Sequence, residues 1–179
     1  TTLQVKEKIY VAGFGIGSVA AVNNKLYVSS SDRAYSGYAN CIKIYDRATK
    51  TLIGRTGYWD QTRLVPLEGT SVEMIDVTIN LGPVGLFYYQ FTPEGVLLSK
   101  KEDTYHGDYL MDPGIVRSFP DGSKIITSRS GTIFNKSLLF DRYVNQNGNY
   151  SDFAFNNDGT LIYAAHANQK KIDVVTYPA

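Results

Sequence analysis

The chain has 179 residues, of which 43% are hydrophobic and 20% charged, with a formal net charge of +1. That is the composition of a soluble globular domain with a sizeable core, and it argues against a disordered or collagen-like chain. Lys, Arg, Asp and Glu are interspersed without a basic stripe, so nucleic acid is not an expected partner, and no apolar run approaches the roughly 20 residues of a membrane-spanning helix.

In chain order, the first segment, TTLQVKEKIYVAG, begins without an initiator Met or signal peptide, as a processed or excised product would. Its residues Leu3–Ile9 read as a strand in need of a partner. GFGIGS (13–18) has the spacing of a glycine-rich loop but no βαβ unit, so it reads as a flexible connection. KLYVSSS, CIKIYDRAT, EMIDVTINL, GLFYYQFT, GSKIITSRS, KSLLFDRY, DFAFNND, GTLIYAAH and KIDVVTY all alternate as short strands do. The 14 Tyr and 8 Phe, with many β-branched residues, favour the same reading. Cys41 opens one of these strands, where a small buried residue is usual, and a single cysteine excludes an internal disulfide. The turn signals VNNKL, TPEGV, FPDGS and NNDGT separate strands as hairpin turns do, with Gly122 and Gly159 expected at positive φ. One stretch, TRLVPLEGTSVEMIDVTINLGP, has no comparably clear turn.

An internal repeat follows. Strand, turn and shorter strand ending in Lys or Arg recurs in IYDRATKTLIGRT, YYQFTPEGVLLSK and the joined ends VVTYPA and TTLQVKEK. Anchored on Asp46, Gln90, Asp141 and Thr176, the intervals are 44, 51 and 35 residues, near the repeat length of a four-stranded propeller blade. The hairpins FNNDGTLIYAAHANQKKIDVV and FPDGSKIITSRSG resemble those of YVTN-type and related β-propeller repeat proteins. The resemblance implies an all-β propeller of about four four-stranded blades, with repeats near 18–60, 61–102, 115–145 and 151–179 plus 1–10. It also implies that the N-terminal strand Leu3–Ile9 closes the last blade against Ile172–Tyr177. The alternatives are part of a larger ring, including one completed by two chains as a homodimer, and a β-sandwich, which leaves the repeat unexplained.

In a propeller the connections between blades and between second and third strands share one face. Here those are the long segments, and they hold Asp32, Tyr35, Tyr38, Tyr58, Trp59, Asp60, Tyr105, His106, Tyr109 and His166. Aromatic rings with polar neighbours suit a glycan or a protein partner, and loops on a rigid scaffold carry function. The same rings serve equally as packing. His106, Asp108 and Asp112 are near enough in sequence for a metal site, but their spacing matches no firm ligand signature. NNDG and FPDG lack the spacing of a calcium loop, and no serine sits in a nucleophile elbow. The expectation is therefore a secreted, cell-surface or periplasmic recognition module without a cofactor. The alternative is a propeller enzyme of lactonase or hydrolase type with a metal at the channel mouth.

Overall fold

A computed structural model gives the fold, and it describes residues 3–13, 15–31, 40–58, 61–69, 71–79 and 82–178. Alternating apolar residues build four antiparallel sheets in chain order. The first sheet is β1 (Ile16–Val22), β2 (Lys25–Ser30), β3 (Ile42–Asp46) and β4 (Leu52–Thr56). The second is β5 (Thr62–Pro66), β6 (Val72–Thr78), β7 (Leu86–Phe91) and β8 (Leu97–Glu102). The third is β9 (Asp112–Ser118), β10 (Lys124–Thr127), β11 (Thr132–Asn135) and β12 (Phe140–Tyr143), with one tight turn, α1 (Ser128–Gly131), between β10 and β11. The fourth has three strands, β13 (Tyr150–Phe155), β14 (Leu161–His166) and β15 (Ile172–Thr176).

The first strands of successive sheets lie side by side, β1 against β5, β5 against β9 and β9 against β13. The sheets are thus the blades of a β-propeller, stacked face to face around an axis. Among the described residues no comparable contact joins β13 back to β1, so the four blades form an open arc.

Three apolar clusters fill the three joints between blades. Tyr27, Ile42 and Ile44 of the first blade meet Val72, Met74 and Tyr89 of the second. Ile75, Val77 and Leu86 on the other face of the second meet Ile125 and Phe134 of the third. Ile126 and Ile133 then meet Phe153, Ile162 and Tyr177 of the fourth. β6 is buried on both faces because it feeds two joints, and its sequence VEMIDVT carries Glu73 and Asp76 among the apolar residues. Each buried aliphatic or aromatic side chain contributes about 1.5–3 kcal/mol, so the joints dominate the stability of the arc.

The hairpins turn where the sequence says. Asn23 and Asn24 have φ of 46° and 58°, Gly122 has 65° and Gly159 has 72°. The unclear turn between β5 and β6 includes Gly69, which reaches φ 144°. Cys41 is buried.

The expected closing strand does not form. Residues 3–13 carry no strand, and among the described residues β15 is paired only with β14. The N-terminal segment instead lies along the first blade, where Lys43 Nζ donates to the Ala12 carbonyl and Glu7 sits 3.5 Å from Arg47 Nε and 3.9 Å from Lys50 Nζ. Lys43 is buried on β3, with its pKa lowered first by desolvation and then by Arg55, and the Ala12 carbonyl is one of its acceptors. The outward face of the last blade is left with Tyr163, Ile172 and Val174 exposed.

Candidate functional site

The described part of the loop face is built from 57–58, 61, 79, 82–85, 103–111, α1, 144–149 and 167–171. Of the residues the sequence singles out there, Asp32, Tyr35, Tyr38, Trp59 and Asp60 lie outside the described residues. The others fall into four groups.

Tyr105 and Tyr109 are packing residues of the loop 103–111. Asp103 anchors its start by accepting from the Leu86 and Tyr105 backbone N–H groups, and burial raises its pKa against the pull of those two bonds. The Tyr105 hydroxyl accepts from the Phe140 N–H at 2.8 Å, and the Tyr109 ring stacks on Phe140 with centroids 4.1 Å apart. Thr132 Oγ1 donates to the Leu110 carbonyl at the loop's end. A segment pinned at so many points presents only its tip, where His106 and Asp108 are exposed.

His106, Asp108 and Asp112 do not converge. Among the described residues no three His, Cys, Asp or Glu side chains are placed to share a metal ion. Asp112 Oδ1 accepts from Gly114 N at 2.8 Å, a local turn bond.

The His166 side chain is only 8% exposed, and its Nε2 lies 2.8 Å from Asp173 Oδ2. The Tyr150 hydroxyl donates to the same oxygen at 2.9 Å, and Lys171 Nζ is 3.2 Å from the other. These donors, His166 first and Tyr150 second, lower the Asp173 pKa to about 2. Burial first, and then the bond to Asp173, raise the Tyr150 phenol to about 12. The triad ties β13, β14 and β15 together at the loop end of the last blade.

Tyr58 is the ring that the face does present. It is 39% exposed and lies nearly parallel to Phe87, with an interplanar angle of 19° and centroids 5.8 Å apart. Lys100 Nζ stands 5.6 Å from the Tyr58 centroid.

One feature of this face is not among the residues singled out from sequence. Arg129 in α1 has φ 67° and ψ −100°, a region that side-chain-bearing residues avoid. Its surroundings over-determine it. Isolated bridges pair Asp112 with Ser128 and Arg129 with Tyr150, Ser128 Oγ donates to the Asp112 carbonyl at 3.0 Å, and Ser130 Oγ donates to the Gln146 carbonyl at 3.0 Å. At Gly131, with φ 63°, a Cβ would stand 2.7 Å from Val144 Cβ, so the turn is closed on that side too. Arg129 is nevertheless exposed. No sequence signal distinguishes it, because Ser-Arg-Ser-Gly reads as an ordinary polar loop.

Below this face, at the joint of the first two blades, Asp76 on β6 is fully buried, with neither carboxylate oxygen hydrogen-bonded among the described residues. The Tyr27, Tyr89 and Thr62 hydroxyls are buried without partners as well. Desolvation raises the Asp76 pKa to about 8, with the nearby Thr62 hydroxyl pulling weakly the other way.

No family model and no curated protein matches the chain. Its fold does have solved neighbours. The computationally designed Ika4 protein superposes with a TM-score of 0.58 at 13% identity, covering 98% of this chain and 100% of that one. A complex of KlAtg21 with the coiled coil of AgAtg16 gives a TM-score of 0.57 at 12% identity, over 93% of this chain and 54% of that one. Kuenenia stuttgartiensis hydrazine synthase gives 0.52 at 16% identity, over 86% and 49%. The chain thus spans about half the length of the last two. At such identities the likeness concerns the fold alone, and the fold does not fix the function.

Proposed function

We propose that this chain is a recognition module of the extracellular or periplasmic space that takes a glycan or a protein on its loop face. The observation that carries the reading is Arg129. An exposed, charged side chain held in a backbone conformation that costs of order 1–3 kcal/mol needs a use that offsets the strain, and presenting a guanidinium to a ligand is such a use. Tyr58, stacked on Phe87, adds an aromatic platform on the same face, of the kind that packs sugar rings or a partner's side chains. Trp59, next in sequence, is the expected anchor. A lactonase or hydrolase reading asks for carboxylates and imidazole turned toward one mouth. Asp103, Asp112, Asp173 and His166 are instead engaged in bonds that hold the loops.

The test is a glycan-array screen of the purified chain, together with cross-linked capture of protein partners, repeated with Trp59→Ala and Tyr58→Ala. Truncating an aromatic anchor weakens binding by about 2 kcal/mol or more. Loss of folding without any change in binding by folded protein would contradict the reading.

A further inference from the structure

Away from the loop face, the inner edge of the arc holds a cavity of 410 Å³ between the first strands of the first three blades. Its wall includes Ser18 of β1, Arg63, Leu64 and Val65 of β5, and Val116 and Arg117 of β9, with Glu68 at the rim. The two arginines differ in state. Arg117 is paired bidentately with Asp152 of β13, Nε to Oδ1 at 3.0 Å and Nη2 to Oδ2 at 3.1 Å. Arg63 has no ion pair among the described residues, and its Nε is buried without an acceptor. Arg63 as a whole is half-buried, but an enclosed guanidinium N–H left unmatched is costly and usually marks a missing acceptor. The serines of the wall are engaged elsewhere, and Glu68 makes no ion pair with Arg63 among the described residues. Ser18 Oγ is shared with Ser29 Oγ at 2.8 Å and accepts from Leu64 N at 2.8 Å, and Ser118 Oγ donates to the Phe119 carbonyl at 3.0 Å.

We propose that this cavity is a binding site for a small carboxylate, with Arg63 as its principal ligand and the apolar Val65 and Val116 beside it. A carboxylate offers two in-plane acceptors to the guanidinium fork, matching the Nε that lacks one. Arg117 adds positive charge to the wall but is already paired with Asp152, so Arg63 is the wall's cation without an ion pair among the described residues. Glu68, exposed at the rim, disfavours a dianion by repulsion, which separates carboxylate from phosphate. The site does not depend on the loop-face reading, since it uses the channel side of β5 and β9.

Nuclear magnetic resonance on the whole chain tests this. Acetate and inorganic phosphate are titrated separately at constant ionic strength, with chloride as the reference. The expected result is a saturable downfield shift of the Arg63 Nε–H resonance with acetate and at least about tenfold weaker binding of phosphate. In Arg63→Met, the acetate-dependent shifts of the Val65 and Val116 amides should disappear while the spectrum stays folded. If Arg63→Met does not fold, Arg63→Lys serves, with weakened but measurable acetate binding. An Arg63 Nε–H that acetate and chloride move equally, or Val65 and Val116 shifts that survive in Arg63→Met, overturns the proposal. Tighter binding of phosphate than of acetate overturns the assignment to carboxylates.

Discussion

Asp76→Asn isolates the most exposed energetic weakness of the fold. The carboxyl is buried at the joint of the first two blades, near Thr62 from β5 and Tyr89 from β7, with Cys41 and Glu102 in the same electrostatic neighbourhood. Its folded pKa is raised to about 8, against about 3.9 for the unfolded chain. Between those values the folded state holds a proton that the unfolded state does not, so stability falls as pH rises. The group's favourable contribution is complete below about pH 4 and is lost once pH passes about 8. The slope is about 1.4 kcal/mol per pH unit, or about 3 kcal/mol between pH 5 and pH 7. An amide has the same shape and cannot ionise. The Asp76→Asn variant should therefore match the wild type within about 1 kcal/mol at pH 4 and exceed it by about 3 kcal/mol or more at pH 8. Urea denaturation of both proteins across pH 4–9 measures the difference directly. Parallel curves, with the variant less stable by the same amount at every pH, would mean that Asp76 is ionised and matched in the folded state, and the reasoning would fail.

The two turn glycines should respond unequally to a side chain. At Gly122, with φ 65°, a Cβ would overlap the Glu68 carbonyl oxygen, whereas at Gly159, with φ 72°, it would stand 3.4 Å from Pro120. By urea denaturation Gly122→Ala should cost more than about 1 kcal/mol and Gly159→Val about 1 kcal/mol. Asp173 has its pKa lowered to about 2 by His166 and Tyr150, so it stabilises the fold above the unfolded carboxyl pKa and loses that effect as pH falls through about 2. Asp173→Asn should lower the melting temperature at pH 6 and leave it unchanged at the acid end, whereas an equal drop at both would contradict the assignment. Removing residues 1–9 should cost less than about 1 kcal/mol, as expected for exposed ion pairs such as Glu7 with Arg47, and should leave the β15 edge as it was; increased aggregation of the truncated protein would restore the closing-strand reading.

The hairpins were legible because their turns depend on local backbone chemistry. Asn-Asn at 23–24 and the glycines at 122 and 159 are residue types that tolerate positive φ, and in these turns they take it. The turn that includes Gly69 was not legible, since LEGTS offers no paired turn residues. The closing strand failed for a different reason. Alternation in LQVKEKI shows that a segment can form a strand, and it says nothing of which edge receives it; the segment instead contacts the first blade through Lys43, Arg47 and Lys50. Tyr105 and Tyr109 show the same limit at the site, because an aromatic in a long loop reads identically whether it is buried against Phe140 or presented to a ligand. Asp76 was not singled out from the sequence. Alternation in EMIDVTI places it on the face of Met74, between Leu64 and Phe87, but not as an unpaired group. Arg129 required backbone angles that no sequence displays.

The most direct test of the recognition reading is the affinity of Arg129→Gly for a glycan or protein captured by the wild-type chain. Glycine adopts φ 67° and ψ −100° with little strain, so the turn should keep its form and the fold should gain of order 1 kcal/mol. This more stable protein is expected to bind at least about tenfold more weakly, because the guanidinium is gone. Unchanged affinity in the stabilised variant would contradict the reading.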